Sequence, residues 1–316
     1  MLPRQPALSG APAGRLPPAV RAFASDDGRH FREDWKAKKE RLRRERGPSP
    51  GYLLKETWND SFVYGVRPVL AALAARRRKV YALYIQEDVD GLAREDSVLL
   101  NHARRLAEEA GIPVRSSSKQ DMNIITRDRP HQGLLLDCGD LEFEELTELP
   151  GLDTDSAVIW LCLDQVTDPQ NFGSAIRSAH FLGAAGVLTC ARNSSPLTAA
   201  VSKASAGASE LMPVHSCRNL PATLQAAAAR GWRVLGADGG REAEPLASIA
   251  PGPPTVLVMG SEGAGLRTNV RRACQGLVRI EAAPRGSVVP AFAGVDSLNV
   301  GVATGIFLHH FLTARG

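Results

Sequence analysis

The sequence predicts an α/β protein in two parts, a small α/β unit over residues 58–140 and a larger parallel-sheet domain over residues 156–316. From Ala157 onward, strand-length apolar runs alternate strictly with helical patterns, which implies a parallel sheet covered by helices. The first of these runs, "AVIWLCLD", is apolar without a break, as expected of a strand buried on both faces. A length of 316 residues accommodates roughly two domains.

Residues 1–50 read as a presequence followed by a basic, disordered arm. Arg4, Arg15 and Arg21 precede the first acidic residue, Asp26, and "RAFAS" (Arg21 to Ser25) has the arginine placement of a matrix-processing site. A tail of merely compositional origin is the alternative, and prolines at 3, 6, 12, 17 and 18 interrupt the amphipathic helix that such signals use. The basic runs "RHFREDWKAKKERLRRER" (Arg29 to Arg46) and "RRRK" (Arg76 to Lys79) suit a polyanion through counterion release, or are simply solvated. "GPSPG" (Gly47 to Gly51) is a linker.

In the small unit a short strand meets Gly65, and a helix follows with Val69, Leu70 and Leu73 on its apolar side. Next come a strand over Val80 to Ile85 and a helix from about Ser97 to Ala110, stopped by Gly111. Strands in "IPVRSSS" and "HQGLLLDC" complete it, and the acidic, turn-rich residues 141–155 read as a linker. In the large domain a helix after Phe172 leads to strand "GVLTC", and a helix over Leu197 to Ala208 to strand "MPVHS". A helix over Leu220 to Arg230 precedes strands "WRVLGAD" and "TVLVMG". Then follow a helix after Gly265, strand "GLVRI" and a last helix from Ser297 to about Leu312.

The composition excludes several classes. No apolar stretch approaches the ~18 residues that span a bilayer. The five cysteines, at 138, 162, 190, 217 and 274, form no C-x-x-C and have no paired histidines nearby, so neither a zinc site nor a secreted disulfide framework is expected. A nicotinamide oxidoreductase would need a G-x-G-x-x-G turn with an acid about twenty positions on, and both are missing.

Three strand ends carry residues suited to chemistry: "DPQNFGSAIRSAHFLGA" (Asp168 to Ala184), "LVMGSEGAGL" (Leu257 to Leu266) and "VDSLNVGVATGIFL" (Val295 to Leu308). Each alone is more often structural than catalytic, Ser297 for instance as a helix N-cap. Together, in this order and spacing, they resemble the SpoU (TrmH-like) branch of the SPOUT RNA methyltransferases. That branch carries N-F-G-x-x-x-R-x-A, G-x-E-G-x-G-L and S-L-N-V-S-x-A. The matching residues are Asn171, Phe172, Gly173, Arg177 and Ala179; Gly260, Glu262, Gly263, Gly265 and Leu266; and Ser297, Leu298, Asn299 and Val300. "YGVRPVLAAL" and "HQG" are similar to the family's L30e-like substrate-binding domain, so the likeness runs from about residue 60 to 312. It is nearest to enzymes that methylate a guanosine ribose in large-subunit ribosomal RNA, and to mitochondrial members among them.

The resemblance implies a C-terminal trefoil-knotted catalytic domain, an exception to unknotted chains, and a homodimer acting on large-subunit ribosomal RNA in the mitochondrial matrix. It implies S-adenosylmethionine as cofactor, held by Gly260, Ile280 and Leu298, with no metal and no membrane. Catalytic roles fall on Arg177, Asn171, Glu262, Ser297 and Asn299. The chain departs from the family pattern in "IEAAPRGSVVPAFAGVDSLN", where Val289 competes with Ile280 as the cofactor-lining residue, and in Gly301, where the family usually has serine. Arg177 is read as binding phosphate or stabilising an alkoxide, because a guanidinium is almost never a base, while an Arg177–Glu262 ion pair is the structural alternative. Ser297 and Asn299 are balanced between capping and a substrate role. His180 is taken as a core or surface residue, His131 as structural, and His309 and His310 as solvent-facing. A transfer-RNA ribose methyltransferase and a catalytically silent RNA-binding protein are the competing functions.

Overall fold

A computed structural model of the chain describes residues 61–87, 94–152, 158–282 and 297–313. The expected presequence and basic arm, and Val289, lie outside these described residues.

The small unit holds β1 (Phe62–Tyr64), α1 (Val66–Ala75), β2 (Val80–Gln86), α2 (Arg94–Glu109), β3 (Val114–Ser117), α3 (Lys119–Thr126) and β4 (Leu134–Cys138). Its sheet runs β1-β4-β2-β3, with β4 antiparallel to both neighbours and β2 parallel to β3. Leu83, Leu134 and Leu136 pack against Val69, Leu73 and Ala103 in its core. The sequence reading missed α3. This helix is short and buries only Met122, Ile125 and Thr126, too few positions to display a period, although Ser118 caps it by accepting from the Asp121 N–H. His131 is structural as expected: it is buried, its Nδ1 accepts from the Gly133 N–H, and its Nε2 meets Asn123 Oδ1.

The large domain contributes β5 (Glu144–Glu145), β6 (Ile159–Leu163), α4 (Pro169–Leu182), β7 (Gly186–Cys190), α5 (Ala199–Ala204), α6 (Ala208–Leu211) and β8 (Val214–Cys217). It continues with α7 (Leu220–Ala229), β9 (Arg233–Ala237), β10 (Glu244–Pro245), β11 (Thr255–Met259), α8 (Thr268–Ala273), β12 (Gly276–Arg279) and α9 (Val300–Thr313). Every paired strand is parallel, in the order β10-β12-β9-β11-β6-β7-β8-β5. The central strands β6, β7 and β11 are buried along their whole length, which explains their unbroken apolar runs.

The structure alters several expectations. The single helix expected over 197–208 is two, broken where Ala206 and Gly207 take positive φ. The acidic linker is stitched to the large sheet, since Glu144 and Glu145 pair with β8 and Leu149 is buried. Nor is "RRRK" wholly an open polyanion site. Arg77 donates to the carbonyls of Ser209, Glu210 and Met212 and pairs with Glu144, while Arg78 is buried against Glu210. His310 is half-buried and bonded to the Ile249 carbonyl rather than solvent-facing.

Arg78 forms a two-pronged pair with Glu210, Nε to Oε2 at 2.7 Å and Nη2 to Oε1 at 3.0 Å, with side chains only 3% and 1% exposed. Burial opposes the arginine's charge, but the bond and field of Glu210 outweigh it and raise its pKa. Because Arg78 follows α1 and Glu210 sits in α6, this pair fastens the small unit to the large domain. Removing one partner strands a buried charge, so Arg78→Met should destabilise the protein by about 3–5 kcal/mol. Arg78→Met combined with Glu210→Leu should recover most of that loss, and urea midpoints of the three proteins check both statements.

Candidate active site

In an open parallel sheet, ligands collect beyond the strand C-termini where the strand order reverses. Here that point lies between β6 and β11, because β7 and β8 extend the sheet on one side and β9 and β12 on the other. The loop leaving β6 starts α4 one turn earlier than the sequence reading had it. Asp168 caps the helix through the Asn171 N–H at 2.8 Å, and Pro169 supplies the preset φ of a first helical residue. Asn171 is thereby fixed in the first turn and buried. Gly173 serves packing rather than phosphate: a Cβ there would lie 2.6 Å from the Ala204 Cβ of α5.

The loop leaving β11 closes on itself. Ser261 and Gly265 exchange both backbone hydrogen bonds, at 3.1 and 2.9 Å, with Gly263 at φ +85° and Gly265 at φ +67°. A side chain on Gly260 would overlap the Gly265 carbonyl, so only glycine closes this ring. The closed turn carries Glu262 over α4. Asn171 Nδ2 donates to Glu262 Oε2 at 2.5 Å, and Asn299 Nδ2 donates to Asn171 Oδ1 at 2.7 Å. Asn299 Oδ1 in turn accepts from the N–H groups of Gly301 and Val302, at 2.9 and 3.4 Å. Asn171 donates to one motif and accepts from another, while Asn299 donates to Asn171 and accepts from its own helix, so the chain of bonds has a single direction, ending on the carboxylate.

The structure thus brings together Asn171, Glu262 and Asn299. The cap of α9 is Asn299, not Ser297, and the helix begins at Val300; Ser297 is exposed. Arg177 is exposed on α4 and makes no ion pair with Glu262 or any other described residue. Six residues on from Asn171, it stands about 9 Å further along the axis and a third of a turn round it. His180 is a surface residue. Gly260 and Ile280 directly follow β11 and β12, the neighbours of β9, and Leu298 is 45% exposed at the entry to α9.

The departure at Gly301 has a physical partner. A Cβ at 301 would lie 2.7 Å from the Ser174 Cβ and closer still to its hydroxyl, so the space that a serine would occupy is already filled from α4. Gly301→Ser should therefore lower stability by about 1–3 kcal/mol, and adding Ser174→Gly should reverse much of the loss, as read from thermal unfolding of the single and double variants.

The sequence reading missed Asp164 and Arg267. Asp164 directly follows β6, is fully buried, and accepts from the Arg267 N–H at 3.0 Å and the Arg267 Nε at 2.7 Å. The bond to Asp164 raises the pKa of Arg267. An acid terminating the apolar run "WLCLD" was the available signal.

Residues 158–309 match the SpoU rRNA Methylase family, and residues 62–144 match the RNA 2'-O ribose methyltransferase substrate binding domain. The human "rRNA methyltransferase 1, mitochondrial" is 41% identical over 267 residues, covering 80% of this chain and 72% of that protein. The Pseudomonas putida "23S rRNA (guanosine-2'-O-)-methyltransferase RlmB" is 32% identical over 259 residues, covering 80% and 96%. The AdoMet-bound rRNA methyltransferase of Sinorhizobium meliloti superposes with a TM-score of 0.63 at 22% identity, over 81% of this chain and 88% of that one, a likeness of fold. With its motifs placed on one crevice and relatives of this similarity along most of its length, the chain belongs to the SpoU rRNA methylase family.

Proposed function

We propose that this chain methylates the ribose 2′-oxygen of a guanosine in large-subunit ribosomal RNA, with S-adenosylmethionine as methyl donor. The observation that carries this is the bond chain Asn299–Asn171–Glu262, which joins all three motif loops at the switch point of the sheet. The substrate-binding match at 62–144 and the names of the relatives support ribosomal RNA over transfer RNA, and the complete bond chain argues against a silent module.

The residues present fit the cofactor. Gly260 ends a strand in a backbone-lined turn, and the half-buried Ile280 and half-exposed Leu298 offer aliphatic faces for an adenosine. Bound there, S-adenosylmethionine supplies a methyl group already activated on a sulfonium. The protein's task is to place the ribose oxygen in line and ease loss of its proton, and such placement is worth roughly 7 kcal/mol or more. Arg177, a cation at physiological pH, binds a flanking phosphate or stabilises the developing alkoxide, and the proton leaves to a phosphate oxygen or water. Glu262 and Asn299 hold Asn171, whose orientation they fix from both ends.

A second copy of the chain completes the site. Phe181 is 86% exposed one helical turn beyond Arg177, and Val302 and Ile306 are exposed on α9, which packs against α4. A dimer through these two helices covers them and sets Arg177 at its edge. A knot is supported by the path of the chain: β12 is separated from β6 by β9 and β11, yet α9 returns to lie on α4 and β6. The matrix as location rests on the acid-poor start of the sequence and the mitochondrial naming of the human relative.

Arg177→Ala should reduce single-turnover methyl transfer to ribosomal RNA about a hundredfold or more while calorimetric affinity for S-adenosylmethionine stays close to wild type. Near-normal turnover in that variant would displace Arg177 from the reacting centre. Phe181→Glu should shift the protein to monomer in sedimentation velocity, and an unchanged dimer would place the interface elsewhere.

A further inference from the structure

Beside the Gly260–Gly265 turn lies a cavity of about 740 Å³, whose lining includes Ala264 and Leu266 but neither Asn171 nor Glu262. Loops from three strands build it: Cys190, Arg192 and Asn193 after β7, Arg218 and Asn219 after β8, and Ala264, Leu266 and Arg267 after β11. Its lining contains three arginines and no acidic residue. We propose that this cavity is a subsite for the phosphodiester backbone of the RNA substrate, separate from the crevice that holds Asn171 and Glu262. The proposal deepens the methyltransferase reading and rests on it.

The arginines are held to different degrees. Arg267 is fixed, through two hydrogen bonds, to the fully buried Asp164, and its Nη2 reaches the Cys190 sulfur at 3.2 Å. Asp164 balances its charge, so Arg267 serves as a rigid wall with its side chain still 41% exposed. Arg192 is exposed and has no ion pair among the described residues. Arg218 pairs with Glu145 at 2.8 Å, but both side chains are largely solvated, and such a pair contributes little and yields readily to a phosphate. Two cations are therefore available to an anion above a third that is already positioned.

The remaining lining selects the class of ligand. There is no aromatic side chain on which a base could stack; the apolar contribution is Leu220, Pro221 and Leu266. The start of α7 adds few donors, because Pro221 has no N–H and Asn219 already accepts from the Ala222 N–H. Recognition falls to guanidinium groups, whose forked donors match phosphate oxygens. The thiol in the wall is not a reactive centre, since burial pushes Cys190 up to about 11. A space this wide, open and arginine-lined fits a strand of successive phosphates better than one small anion. Its position shares a turn with Glu262, so a strand entering the crevice can continue into it.

The test compares wild type with Arg192→Ala/Arg218→Ala, each as the full chain, by fluorescence anisotropy with a fluorescein-labelled single-stranded RNA of mixed sequence, titrated at several salt concentrations. The double variant should bind roughly tenfold or more weakly, with the slope of log affinity against log salt reduced by about 1.4. Affinity for S-adenosylmethionine should be unchanged, and the double lysine variant should restore the slope. Arg230→Ala, at the opposite end of α7, should leave affinity and slope near wild type. An unchanged slope in the double alanine variant would overturn the proposal. So would competition by guanosine monophosphate or inorganic phosphate at sub-millimolar concentration in wild type alone, which would mark a small-anion site. Methyl transfer by wild type to ribosomal RNA is measured in parallel: its absence would sink the methyltransferase reading, whereas normal transfer with an unaltered slope would sink only the subsite.

Discussion

The ladder between β6 and β11 is the constraint from which the chemistry of this protein descends. These strands are neighbours although nearly a hundred residues separate them, and their register runs unbroken from Ile159 opposite Thr255 to Leu163 opposite Met259. One further bond, from the Asp164 N–H to the Met259 carbonyl, ends the ladder and launches both loops from the same level. A short hydrogen bond between Asn171 and Glu262 tolerates little error in either loop. The sheet sets the starting points, the Asp168 cap sets the entry of α4, and the closed glycine turn sets the height of the carboxylate.

The last motif joins this arrangement through the difference between the two ends of an amide. Asn299 spends its oxygen on the N–H groups at the start of α9 and its nitrogen on Asn171. Aspartate would cap as well but would set a carboxylate against the Asn171 oxygen; serine would cap but not reach. Asn171 is restricted in the same way, because its oxygen is taken by a donor and its nitrogen faces a carboxylate. Helix start and site geometry are therefore one structure, because the same Asn299 side chain caps α9 and bonds Asn171. For Ser297 the exposed position leaves neither an intrahelical role nor a bond to the other motifs.

Much of this could be read in the sequence, for identifiable reasons. Strands buried on both faces announce themselves as uninterrupted apolar runs, as β6 does, while β7 and β11 show in the alternation of strand and helix. The helix α3 and the edge strands β5 and β10 were not legible, because elements of so few residues show no period and owe their form to tertiary neighbours. Residue types singled out Asn171, Glu262 and Asn299, which the structure brings together, but their pairing could not be read: an ion pair of Glu262 with Arg177 was the structural alternative, and the choice between amide and guanidinium depends on the third of a turn that separates 171 from 177. Asp164 escaped notice because an acid after an apolar run is a faint signal that gains meaning only when Arg267 is seen to fold back on it.

Charge illustrates the same limit and shows where function begins. A run such as "RRRK" reads as a surface for polyanions, yet Arg77 and Arg78 turn inward to fasten the small unit onto α6 and β5. Arg177, Arg192 and Arg218 come from no run at all and stand exposed, Arg192 and Arg218 just past the ends of β7 and β8 and Arg177 on α4. What distinguishes them is that none has a buried partner among the described residues. A guanidinium locked by a buried carboxylate has its charge answered within the protein, whereas one left in solvent at the mouth of a crevice keeps its field for an approaching anion. The inward arginines also have a structural consequence: by fixing the small unit against the large domain, they fix the spacing between the segment 62–144 that matches the substrate-binding family and the turn that carries Glu262.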